Sequence, residues 1–83
     1  MDKYFVYILK SKNYNKHYIG QTKDLIKRLE FHNSSQARWT RRYQPWELVY
    51  KEEYETRTEV MNRELELKKQ KDIKKFLEIK AVR

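Results

Sequence analysis

The longest apolar run in this chain, Tyr4-Phe5-Val6-Tyr7-Ile8-Leu9, is only strand length, and any fold open to the sequence has to be assembled around it. The run is rich in aromatic and β-branched residues, the side chains that suit a pleated, half-buried surface. It falls far short of the roughly 20 apolar residues that a bilayer span requires. Met1-Asp2-Lys3 leads directly into it with no small-residue cleavage site afterwards, so no leader peptide is expected. The 83 residues are expected to form one domain, 1–83. A chain of this length buries about 60–65% of the surface its unfolded form exposes, so the core must be small.

Around that strand the other elements follow from local chemistry. Lys12-Asn13-Tyr14-Asn15-Lys16 supplies turn residues before His17-Tyr18-Ile19-Gly20, which makes a β-hairpin. Thr22 is placed to cap a helix carrying Leu25, Ile26 and Leu29 and ending near Asn33, with Asp24 favourably set against its positive end. Ser34 to Gln44 reads as an exposed basic loop, closed by Pro45 before a third strand, Trp46 to Tyr50. Thr56-Arg57-Thr58-Glu59 has the capping-box spacing and starts a helix at Arg57. At 3.6 residues per turn, Val60, Met61, Leu65 and Leu67 share one face, whereas Ile73, Phe76 and Leu77 point nearly the opposite way, so the chain bends near Asp72. The order β-β-α-β-α-α describes an α+β fold, a three-stranded sheet covered by helices.

Charge narrows the function. Lys and Arg number 20 against 12 Asp and Glu, a formal charge of +8, which favours a polyanionic partner. Nucleic acid is preferred over an anionic membrane surface, because a basic protein releases counterions condensed on the phosphates. Cysteine is absent, which removes disulfides, thiolate nucleophiles and cysteine-bound zinc and agrees with a cytoplasmic setting. One Gly and one Pro leave no room for a P-loop or a dinucleotide-binding glycine loop.

A few side chains could carry chemistry. Glu64 falls between Val60 and Met61 on the helical wheel, close to the middle of the apolar face, where a carboxylate needs a cation. A metal ion or a structural ion pair with Arg57, Lys68 or Arg28 would each serve. Arg28 and His32 stack one turn apart beside Leu25 and Leu29, as a phosphate clamp and a proton exchanger or as two plain surface residues. Tyr7 and Tyr18 lie on adjacent strands, as a cross-strand aromatic pair or with one phenol acting as acid or base. Gly20, the lone glycine, suits an unusual backbone angle, the close approach of a ligand, or a strand-ending turn.

Taken in order, Val6-Tyr7, Tyr18-Ile19-Gly20-Gln21-Thr22, Arg28-x-x-x-His32-Asn33 and Glu64 resemble the GIY-YIG nuclease family, over about Tyr4 to Lys69. Trp39-Thr40, Pro45-Trp46-Glu47-Leu48-Val49-Tyr50 and Arg63-Glu64-x-x-Leu67-Lys68 resemble its small stand-alone members, the excinuclease-like or endonuclease-like proteins. The resemblance implies a three-stranded antiparallel sheet, one divalent cation and hydrolysis of a phosphodiester bond. It assigns Glu64 to Mg²⁺ or Mn²⁺, Arg28 to a phosphate oxygen, and Tyr7 to the attacking water with His32 as assistant or competing base. Tyr18 would orient water or phosphate. Gly20, Gln21, Arg38, Trp39, Arg41, Arg42 and Lys68 form the expected nucleic-acid-contacting set, with DNA preferred over RNA.

This sequence departs from the family pattern in three places. Phe5-Val6-Tyr7 replaces Gly-Ile-Tyr, no asparagine follows Glu64 in these residues, and no separate DNA-binding domain of the kind joined to the repair, restriction and homing members is expected within the 83 residues. Tight sequence specificity is therefore not expected unless a larger protein partner supplies it. The leading expectation is a metal-dependent nuclease that acts in DNA repair or processes structured DNA. Two other readings stay open: a non-catalytic nucleic-acid-binding module, in which Trp39 or Tyr43 stacks on bases and the lysines from Lys68 to Lys80 add charge, and a protein-docking module with Phe31, Trp39 or Phe76 as exposed anchors.

Overall fold

Tyr4–Leu9 becomes the middle of a sheet in the computed structural model, which describes residues 3–81; the expected start at Met1-Asp2 lies outside them. Strand β1 (Tyr4–Ser11) pairs antiparallel with β2 (His17–Thr22) on one side and with β3 (Trp46–Tyr54) on the other, giving the order β2-β1-β3. Helices α1 (Leu25–His32), α2 (Arg57–Lys68) and α3 (Ile73–Ala81) complete the α+β order β-β-α-β-α-α. No described helix is long and apolar enough to cross a membrane.

The central position of β1 explains its continuous apolar run. Alternate side chains of a strand point to opposite faces, so a strand covered on both faces needs apolar residues throughout. Val6 and Ile8 join Val60 and Leu67 of α2, with Ile73, Phe76 and Leu77 of α3 packed against them. Tyr7 and Leu9 join Trp46 on the other face, with Leu25 and Leu29 of α1 alongside. The β1–β2 turn is held by Ser11, whose buried Oγ accepts from the backbone N–H groups of Asn13 at 3.3 Å and Tyr14 at 3.1 Å.

Several details differ from the expectations above, each for a local reason. Asp24, not Thr22, caps α1 and accepts from the Lys27 N–H at 3.1 Å; Thr22 is consumed as the last residue of β2. The third strand runs four residues further than expected, to Tyr54, and its register shifts opposite Ile8 and Leu9. The basic loop is not wholly exposed: it contains a 3-10 turn, Thr40–Tyr43, and buries Ala37 and Thr40.

On α2 only Val60 and Leu67 are buried, while Met61 and Leu65 are 47% and 58% exposed. Arg63 accounts for the difference. Its guanidinium donates twice to Glu52 of β3, from Nε at 2.8 Å and Nη2 at 3.0 Å, and this holds the Arg63 flank of α2 on the sheet and turns the Met61 and Leu65 flank outward. Burial alone would raise the Glu52 carboxyl, but Arg63 and the hydroxyls of Tyr50 and Tyr54 together bring it down to about 2. Glu64, the next residue, consequently sits at the edge of the buried stripe and not at its middle.

Candidate active site

Tyr7 and Tyr18 share one face of the hairpin, because Tyr7 is opposite Gly20 and Tyr18 is opposite Leu9. Their ring centroids lie 6.3 Å apart. A Cβ on Gly20 would fall 2.6 Å from the Tyr7 Oη and 3.0 Å from Cε2 of Tyr18. The lone glycine therefore clears space for two tyrosine rings. Its φ is not positive and it lies inside β2, so neither a special backbone angle nor a strand-ending turn explains it.

Helix α1 brings His32 and Arg28 onto this pair. His32 is buried, with Nε2 at 3.0 Å from the Tyr7 Oη and Nδ1 at 3.0 Å from the Thr40 Oγ1. Arg28 lies against both phenols, and its Nε is buried without a hydrogen-bond partner. Burial pushes Tyr7 up to about 12 against the pull of Arg28, and the Glu64 charge also reaches it. His32 is pushed down to about 4, first by burial and then by Arg28. At neutral pH the phenol keeps its proton and the imidazole is neutral, so the Tyr7, His32 and Thr40 chain carries one transferable proton at each link.

The His32 shift sets a pH test. Its pKa is depressed on folding, so between about 6.5 and about 4 the unfolded chain binds the proton and the native one does not. Stability is retained above that window and falls as the pH drops through it. We expect the His32 ring protons to show no titration above about pH 5 in NMR spectra. A ring titrating near 6.5 and assigned to His32 would mean that the chain of contacts is not formed in solution.

Glu64 reaches the site from the other side of the sheet. Its Oε1 accepts from the Gln21 Nε2 at 2.8 Å, and its Oε2 lies 2.7 Å from the Lys68 Nζ. Of the three cations considered for it, Lys68 is the one in place; Arg57 lies over the Tyr4 ring instead. Gln21 and Lys68, expected on nucleic acid, are thus engaged with Glu64. Among the described residues no group of three or more His, Cys, Asp or Glu side chains is gathered. A lone carboxylate suits a hard ion such as Mg²⁺, which keeps most of its waters and takes further oxygens from a substrate phosphate.

Beyond Tyr18 the aromatic contacts continue outward. Trp39 is 6.4 Å from Tyr18 and 5.2 Å from Tyr43, and Tyr43 is 5.4 Å from Tyr14. Arg38, Trp39, Arg41 and Arg42 are all exposed, as expected. Phe76 is not an exposed anchor, since it packs edge-on against Tyr50 within the α3 core. Thr40 has no place among the residues expected to carry chemistry. Its signal in the sequence is the small pair Ala37 and Thr40, three residues apart amid bulky basic neighbours.

Comparison with known proteins agrees with this architecture. Residues 3–76 match the family model described as GIY-YIG catalytic domain. UPF0213 protein SSP2268 from Staphylococcus saprophyticus is 42% identical over 69 residues, covering 82% of this chain and 83% of that protein. A UPF0213 protein from Staphylococcus aureus strain Mu3 is 45% identical over the same shares. The solution NMR structure of the UPF0213 protein BH0048 from Bacillus halodurans is similar at a TM-score of 0.57 and 31% identity, covering 96% of this chain and 85% of that one.

Proposed function

The chain belongs to the GIY-YIG catalytic-domain family, and from that premise we propose that it is a divalent-metal-dependent endonuclease hydrolysing phosphodiester bonds of DNA. The observation that carries the reading is the buried Tyr7 and His32 contact with the Arg28 guanidinium beside it. The Arg28 guanidinium is a permanent, forked cation set against both phenols, and such a group suits a phosphate oxygen arriving beside them. Glu64 would hold the Mg²⁺ or Mn²⁺, which when bound supplies charge neutralisation at the scissile phosphate and the departing 3′ oxygen.

The protein's own groups handle the water. As its oxygen attacks phosphorus and the bond to the 3′ oxygen breaks, its proton passes to the Tyr7 Oη while the proton of Tyr7 moves to the His32 Nε2. Burial keeps the phenolate from forming at rest, so this transfer is coupled to attack. With its Nδ1–H directed at the Thr40 Oγ1, 3.0 Å away, His32 would hold the tautomer that leaves Nε2 free to receive. Tyr18 and Arg28 orient the phosphate.

Lys68 favours a second reading, a nucleic-acid-binding module without catalysis, because its ammonium already neutralises Glu64. Lys68→Ala distinguishes between them. An exposed ion pair is worth about 0.2–1 kcal/mol, so its removal is expected to tighten Mn²⁺ binding up to about fivefold, read by water-proton relaxation. Mn²⁺ affinity left unchanged by Glu64→Ala would show that Glu64 is not where the ion binds.

The function itself is tested by offering labelled single-stranded, duplex, nicked and branched DNA, and RNA, with Mg²⁺ or Mn²⁺. DNA products that require the cation and disappear in Tyr7→Phe support the nuclease. Binding without cleavage across the whole panel, unaltered by either, selects the binding module.

A further inference from the structure

A tryptophan left 51% exposed is costly unless something covers it in use, and Trp39 joins the candidate site to an open, basic surface. Its indole is in ring contact with Tyr18, which in turn lies 4.6 Å from His32. It precedes Thr40, whose hydroxyl meets His32 and whose carbonyl accepts from the buried Trp46 Nε1 at 2.7 Å. The backbone of this segment is also tied underneath, by the Arg41 N–H donating to the Ala37 carbonyl at 3.1 Å and by Gln44 donating to the carbonyls of His32 and Ser34. Trp39 is therefore an exposed ring on a fixed support, not a side chain on a loose loop.

Its neighbours define what would cover it. Arg38, Arg41 and Arg42 are exposed around it, and Lys16 lies over the adjoining Tyr43 ring. An aromatic face rimmed by cations binds the base of a nucleotide while the cations meet its phosphates. Paired, stacked bases have no free face to offer.

Resting on the nuclease reading for the place of the cut, we propose that Trp39 is a stacking platform for one unpaired DNA base beside the scissile phosphate. The substrates are then strands that expose such a base, whether free, flapped or gapped, and not continuous duplex.

The test reads stacking without cleavage, in Glu64→Ala protein with chelator. End-labelled oligothymidine and a blunt, loop-free duplex are titrated while tryptophan fluorescence of the protein and anisotropy of the label are both followed. Trp46, 3% exposed, supplies a constant background, so the quenched fraction reports Trp39. We expect the single strand to quench, and by anisotropy Trp39→Ala to weaken its binding about 10-fold to 100-fold, with Trp39→Phe largely restoring it and the duplex affinity unchanged. Absence of quenching, or equal weakening of strand and duplex by Trp39→Ala, overturns the proposal. Failure of the nuclease reading has a different signature: wild-type protein with metal cuts nothing, while the Trp39-dependent quenching persists.

Discussion

Glu64→Ala is expected to reduce DNA cleavage by at least about a thousandfold while leaving the protein folded. The loss is large because Glu64 is the one carboxylate of the proposed site among the described residues, and without it the residues proposed to meet the phosphate, Arg28, Tyr7, Tyr18 and His32, offer no hard anionic ligand to a divalent ion. The fold survives because the groups released are not trapped. The Lys68 side chain is 52% exposed and turns to water, and Gln21 lies on the edge strand. Losing such a pair costs at most about 1 kcal/mol, or roughly 4–8 °C in the melting temperature of a domain this small. Glu64→Gln sharpens the comparison: its amide oxygen still accepts from Gln21, so an equal loss assigns the effect to charge alone. Single-turnover cleavage and thermal melts on the same samples give the answer, and activity within tenfold of wild type in either variant would remove Glu64 from the site.

The parts of this arrangement that were legible in the sequence are those with a period. Two-residue alternation in the hairpin puts Tyr7 and Tyr18 on one face, and a spacing of four on α1 stacks Arg28 with His32 at the edge of the core. The order of strands and helices follows from the same patterns. Contacts that cross between elements carry no such mark. Thr40 reaches His32 through a loop, and Gln21 meets Glu64 across the edge of the sheet. Lys68 is legible as a partner of Glu64 from its spacing of four on α2, whereas Gln21 is not, because a strand-end glutamine looks the same in sequence whether it faces solvent or a carboxylate.

The departure on α2 has the same origin. Val60, Met61, Leu65 and Leu67 suggest a wide apolar face, but the rotation of a helix is set by its strongest anchor. Here that anchor is a charged one, Arg63 on Glu52, which the wheel counts as polar and therefore outward. At the start of α1, Thr22 and Asp24 are both competent caps two residues apart, and pairing of β2 decides between them. Burial of Tyr7 against Gly20 was likewise invisible, because a glycine suggests backbone freedom first and a missing side chain second.

Gly20→Ala is the substitution that turns this last point into a measurement. The added methyl would stand 2.6 Å from Oη and 2.8 Å from Cζ of Tyr7, well inside contact distance. Tyr7 cannot swing aside, because its ring is 2% exposed and its hydroxyl is held by His32. Overpacking of this kind costs about 1–3 kcal/mol. We expect the melting temperature to fall by roughly 5–20 °C and cleavage to drop about a hundredfold, since an error near 1 Å in a reacting group is enough for that. The cause is steric and not conformational, because Gly20 has no positive φ for alanine to resist. Tyr7→Phe removes the atom nearest the new methyl but leaves Cζ, so part of the clash is relieved. The double variant should then be at least about 0.5 kcal/mol more stable than the sum of the single effects. Strict additivity would mean that the Tyr7 hydroxyl does not lie over Gly20, and the proton path through His32 would have to be redrawn.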